Sequence, residues 1–162
     1  MFREMRRKRQ MLADDVTEAI LRDATSGVLS VSGDDGYPYG VPISFAYAGG
    51  KIYFHSAREG HKIDAIRKDE KVSFCVIAQD KIVAERFTTY FRSVIATGKA
   101  RIIHDEREKM RAIELIADKY SPTESEESKR KEIEKGFSHL CMIEMTIEHL
   151  TGKEAIELAS AR

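Results

Sequence analysis

The chain has 162 residues, 42% hydrophobic and 33% charged, which suits one soluble domain with its own core. Its 27 basic and 27 acidic side chains cancel, so no global field points to nucleic acid or to an anionic membrane surface. No apolar run approaches the roughly 18 to 20 residues of a membrane span, and the basic start MFREMRRKRQ lacks the apolar stretch of a signal peptide, so the expectation is a cytoplasmic protein.

Residues 1–9 form a basic arm ahead of a core spanning 10–157. Its cluster Arg6–Arg9, alone in a neutral chain, reads as a solvated arm rather than a nucleic-acid site. ADDVTEAILRDA (13–24) predicts a helix capped by Asp14 or Asp15, with Val16, Ala19, Ile20 and Ala24 inward. The period then falls to two. GVLSVSG (27–33) is a strand, DDGYPYG a turn, YGVPISFAY (39–47) a strand, AGGK (48–51) a hairpin turn and KIYFHS (51–56) its partner strand. A short helix follows at 60–69 and a buried strand at 71–78. A long strand at 93–104 has Gly98 as a bend or bulge. Residues 105–120 form an amphipathic helix through Met110, Ile113, Ile116 and Ala117. The charged stretch 121–136 is a solvated helix or a mobile excursion. A last strand, 140–152, sets Cys141, Ile143, Met145 and Ile147 on one face. Six strands with short turns fit a small antiparallel barrel, or an open sheet with helices on one face. Cys75 and Cys141 lie in apolar strand patterns without CxxC spacing and read as buried free thiols.

Three segments carry chemistry. In YGVPISFAY one face holds Val41, Ile43, Phe45 and Tyr47; the other holds only Gly40, Pro42, Ser44 and Ala46. A bare face lets a flat group approach the backbone, and Pro42, with no N–H, belongs at an edge or a break in the ladder. In FHSAREGHK (54–62), Gly60 stands where a loop becomes a helix, and open N–H groups there favour a phosphate. Lys62 sits in the first turn, the poor end for a cation unless an anion is near. Ser56 can donate to that anion, and Arg58 can pair with it or point into water. In TTYFRSVIATGKARII (88–103), Arg92 and Ser93 are polar at the start of a buried strand. No Walker loop or GxGxxG fingerprint is present.

YGVPISFAYAGGKIYFHSAREGHKIDAIRKDEKVSF, with YFRSVIATGKARII and the late TGKEA, resembles the pyridoxamine 5′-phosphate oxidase-like superfamily of flavin-binding split barrels, in the branch of the nitroimidazole-resistance (Nim-type) proteins. The resemblance covers residues 10 to 157. It implies a mainly β fold, a six-stranded antiparallel split β-barrel with flanking helices, that forms a homodimer with FMN at its interface. It implies that Val41, Pro42 and Ile43 lie against the flavin ring. His55, Ser56, Gly60, His61 and Lys62 meet the phosphate and ribityl chain, with Arg92 and Ser93 approaching from near the second strand, from the same chain or from the partner. His55 would be a proton donor or a substrate contact. The C-terminal TGKEAIELASAR lacks the substrate signature of true pyridoxamine-phosphate oxidases. The expected activity is reduction of a small electron-poor molecule, with NAD(P)H or another carrier as electron donor. The alternative is a flavin or haem carrier or sensor, for which His55, His61, His104, His139 and His149 are the available axial ligands. No metal-ligand spacing stands out.

Overall fold

A computed structural model describes all 162 residues. Seven strands form one antiparallel sheet: β1 (Gly27–Ser32), β2 (Pro38–Ile43), β3 (Ala46–Ala48), β4 (Lys51–Ala57), β5 (Lys71–Val83), β6 (Thr88–Ile102) and β7 (Leu140–Glu154). Their order is β2-β1-β5-β6-β7-β4-β3. Five helices flank it: α1 (Asp14–Asp23), α2 (His61–Lys68), α3 (Glu106–Tyr120), α4 (Glu126–Gly136) and the short α5 (Ile156–Ala159).

The strand expected at 39–47 is two strands, which corrects the count from six to seven. At Ser44 and Phe45 the chain changes partners. β2 pairs with β1, while β3 pairs with β4 around the Gly49–Gly50 turn. Both glycines have positive φ, the backbone that a two-residue hairpin needs. β2 and β3 are therefore neighbours in sequence and opposite edges of the sheet. Two residues cannot span a flat seven-stranded sheet, so the sheet curls until its edges meet. It is broken there rather than closed into a barrel, because no ladder joins β2 to β3.

The curl encloses one core. Leu29, Ile52, Phe54, Phe74, Val76, Val94, Ala96, Ile143 and Met145 point inward from five strands. Phe74 of β5 meets Phe45 at the break and Phe54 of β4 edge-on, with centroids 4.7 and 5.1 Å apart. Ile63, Ala65 and Ile66 of α2 and Leu21 of α1 complete it. A second core lies outside the sheet, where Ala112, Ile113 and Ile116 of α3 and Ile133 of α4 cover Met142 and Ala46. β7 is thus covered on both faces, and Cys141 through Met145 are all buried.

Several expectations shift in detail. α1 is capped at Ala13 with no side-chain bond, and its buried stripe is Thr17 and Leu21 with Ile20 and Ala24 beside them; Val16 faces solvent. β5 runs past 78 and β6 starts before 93, forming a hairpin whose outer end, 80–83 with 88–91, pairs only with itself. The polar QDK at 79–81 hides that extension in the sequence. A register shift does fall at Thr97/Gly98. Of the stretch 121–136, a loop of five residues leads into α4, which is capped by the Ser125 side chain. Cys141 is buried, but Cys75 is only half-buried. Burial pushes both thiols up from the ordinary value.

Two polar contacts hold the curl. At the break, the Tyr120 hydroxyl accepts from the Phe45 N–H at 2.9 Å and lies 2.5 Å from the Thr25 carbonyl, to which it donates. Beneath α3, Glu144 of β7 is bound by Lys51 of β4 at 3.1 Å and by Arg101 of β6 at 3.0 Å. Burial pushes the Glu144 carboxyl up, but bonds and charge from Arg101 and Lys51 outweigh it and hold it below the ordinary carboxylate value.

Tyr120→Phe leaves the fully buried Phe45 without its N–H partner. It should lower unfolding free energy by about 1–3 kcal/mol, read as a lower urea midpoint at unchanged slope. Because the folded Glu144 carboxyl is depressed, its ion pairs add stability above the unfolded carboxylate pKa and lose it as pH falls through the folded one. The stability gap between the parent and Glu144→Gln should be open at neutral pH and shrink in acid; a gap constant from pH ~7 to ~3 would contradict that assignment.

Candidate functional site

β2 presents the bare face its sequence suggests. Gly40 and Pro42 are exposed, while Tyr39, Val41 and Ile43 are half-buried against the core. β2 is an edge strand, so a residue without an N–H costs the ladder nothing there. Pro42 opens a row across the outer sheet face through Val28, Cys75 and Ile95. Val28 and Ile95 stay 39% and 48% exposed, and the adjoining Ile77 69%, so this face is apolar and uncovered.

Beyond Tyr53, β4 pairs only with β7, leaving Phe54 to Ala57 with a free edge. β2 runs antiparallel to β4 on the other side of the break, so the two free edges flank one gap. The start of α2 stands at its end. There His61 stacks on Tyr39 of β2, centroids 4.1 Å apart, and its Nε2 lies 3.7 Å from Asp34. The His61 side chain is therefore engaged with the β1–β2 turn; only its backbone N–H is free for a ligand.

That helix start is uncapped. Gly60 has φ 137°, a backbone that disfavours any side chain, and no side chain caps the helix. Lys62 is half-buried and takes part in no ion pair. Ser56 is buried at the end of β4, and its Oγ has no hydrogen-bond partner. An orphaned buried hydroxyl is costly without a ligand or water. Arg58 donates to the Ser138 carbonyl at 3.1 Å. With Arg67 and Lys109 it lines a cleft beside Cys141, so this end of the sheet is cationic.

His55 faces the opposite way. It is exposed on the outer face of β4, where it opens into a cleft of about 660 Å³. Ile113, Ile116 and Ala117 of α3, Ile133 of α4 and Leu140 form its apolar lining, and Tyr120 stands at the end nearest the break. The excursion 121–136 is thus a wall of this cleft. Sequence reading missed the role because α4 carries one buried residue in eleven.

Arg92 and Ser93 do not join this site within the chain. They lie on β6, three strands from β2, about 14 Å at the usual strand spacing. Arg92 Nε donates to Glu154 at 3.1 Å, a carboxylate buried completely at the end of β7. Arg162 also lies against that carboxylate, without a hydrogen-bond alignment for its Oε1. Gln10 donates to the Glu154 carbonyl at 2.9 Å, so TGKEA anchors both termini. No three metal-ligating side chains converge anywhere, and no helix is long and apolar enough to cross a membrane.

A profile of the family described as pyridoxamine 5′-phosphate oxidase matches residues 13–154, and the chain belongs to that family. No curated protein matches it. Among solved structures, it resembles a candidate 5-nitroimidazole antibiotic resistance protein of Bacteroides thetaiotaomicron, at 24% identity and TM-score 0.72, over 89% of this chain and 86% of that one. It resembles the flavocytochrome Anf3 of Azotobacter vinelandii at 23% identity and TM-score 0.76, over 94% and 72%. It resembles an FAD- and haem-binding protein of Mycobacterium smegmatis at 16% identity and TM-score 0.73, over 91% and 73%. At these identities the likeness establishes a shared fold: a split-barrel-like antiparallel sheet with flanking helices.

Proposed function

We propose that this chain is an FMN-binding flavoprotein that works as a homodimer and reduces a small electron-poor molecule, with NAD(P)H or another carrier supplying electrons. One observation carries the cofactor assignment: an uncapped helix start at Gly60 follows a buried, partnerless hydroxyl at Ser56 in a cationic setting. A phosphate monoester meets all of those needs at once. The backbone N–H groups of His61 and Lys62, the Lys62 ammonium and the Ser56 hydroxyl hold the phosphate. The bare β2 edge at Val41, Pro42 and Ile43 receives a flat ring, and nothing bulky on Gly40 or Pro42 obstructs it.

Bound FMN supplies the two-electron redox chemistry. The chain's own residues position it and control access. β2 orients the ring through its backbone, α3 and α4 shield the adjoining cleft, and His55 stands in that cleft as a proton donor to the reduced product. Two further features support the dimer. The uncovered row from Pro42 through Val28 and Cys75 to Ile95 is the kind of apolar patch that marks an interface. Ser93, on the face of Ile95 and remote from its own β2, would reach the partner's ring across it, with Arg92 beside it at the strand end.

The purified protein should be yellow, with the two-banded spectrum of oxidised flavin; a Soret band alone would move the assignment to haem. Ser56→Ala combined with Lys62→Ala should weaken FMN binding by about 2–4 kcal/mol in a fluorescence titration, and unchanged affinity in a folded variant would refute the phosphate assignment. His55→Ala should lower kcat while leaving FMN affinity near the parent's; equal kcat removes the proton-donor role.

A further inference from the structure

The charges around the His55 cleft are nearly spent before any ligand arrives. Lys129 is held by Asp118 and Glu126 at 2.8 and 3.1 Å, and Lys131 by Glu127 at 3.0 Å. The other charged groups of the lining are Lys135, Glu124 and Glu132, again with no excess of positive charge. An anion finds no surplus positive charge here, in contrast to the cationic end near Arg58 and Arg67. Below the rim, the lining is isoleucine, alanine and leucine, with His55 the polar group on the β4 side.

The cleft lies between α3, α4 and the outer face of β4. Small residues keep it open: Ala117 on α3, Ser128 and Gly136 on α4. A Cβ built on Gly136 meets nothing within 4 Å, so the space beside it is free. At about 660 Å³ the slot lies within the range that encloses whole organic ligands, well beyond what one five-membered ring fills.

We propose that this slot binds a neutral, planar molecule of two or three fused rings, whose carbonyl-type oxygen accepts a hydrogen bond from His55. The apolar lining takes the ring faces, the spent rim disfavours a charged analogue, and α4 sets the width. The proposal rests on the flavin reading only for what the molecule is there to do; the binding itself is independent of it.

Acetylnaphthalene, naphthoate and methylnitroimidazole serve as the neutral fused-ring, anionic fused-ring and single-ring probes. Calorimetry with the purified protein, with and without added FMN, should show acetylnaphthalene binding at least about tenfold more tightly than either of the others. Gly136→Phe should fill the slot and raise the acetylnaphthalene Kd by about tenfold or more; Ser128→Phe, on the same face of α4, is the independent second variant. Both should retain the parent's helical and strand content by circular dichroism and the parent's FMN uptake. Equal binding of naphthoate, or a parent-like acetylnaphthalene Kd in both folded variants, overturns the proposal. Failure of every sample to take up FMN while the probe pattern holds would remove the flavin reading and leave this one intact.

Discussion

The Tyr120 hydroxyl is the contact on which the architecture turns. A sheet whose two edges are consecutive in sequence must either close a ladder or stop at a gap, and here it stops. The exposed backbone at that gap still needs partners. Tyr120 takes the Phe45 N–H and gives its proton to the Thr25 carbonyl, while Lys119 of the same turn donates to the Ala24 carbonyl and lies 4.0 Å over the Phe45 ring. Burial pushes the Lys119 ammonium down from its ordinary value, opposed by Asp23. The last turn of α3 thus fastens α1, β2 and β3 at one point. Because the gap is held by a side chain rather than a ladder, the edges of β2 and of Phe54 to Ala57 remain free for something other than each other.

The two sides of β4 acquire different chemistry from strand alternation alone. Ser56 points into the molecule and His55 points out. Inward lies the uncapped start of α2 with Lys62; outward lies the apolar slot under α4. On the reading proposed above, one strand would serve a phosphate on one side and an uncharged substrate on the other without either competing for the other's place.

Much of the fold was readable from local rules. The Gly49–Gly50 hairpin, the helix starting after Gly60, the irregularity at Gly98 and the inward face of β7 all follow from turn chemistry and period. The partner change at Ser44 was not readable, because alternation continues unbroken through YGVPISFAY and no glycine or charge marks the break. α4 and its role were hidden too. Its one apolar anchor, Ile133, cannot produce a helical period, and its function depends on α3 and β4 being brought beside it. The candidate phosphate residues were legible because a helix start is a local feature. Tyr120 and Glu154 were not, since their partners lie 75 and 62 residues away.

Arg92 shows how topology limits a reading made from residue type. A polar arginine at the start of a buried strand invites a ligand, yet β6 sits in the middle of the sheet and its Arg92 meets the fully buried Glu154. A carboxylate buried to that degree requires a cation, and leaving it alone costs several kcal/mol. Arg92 therefore has a structural obligation before any functional one. Its Nε–H binds one carboxylate oxygen, Arg162 lies against the other, and the Arg92 guanidinium keeps its remaining donors, with 40% of the side chain still exposed. The residue can anchor Glu154 and still present donors to solvent at that end of the sheet. Lys could not do both, because an ammonium committed to a buried carboxylate has no rigid second set of donors to offer.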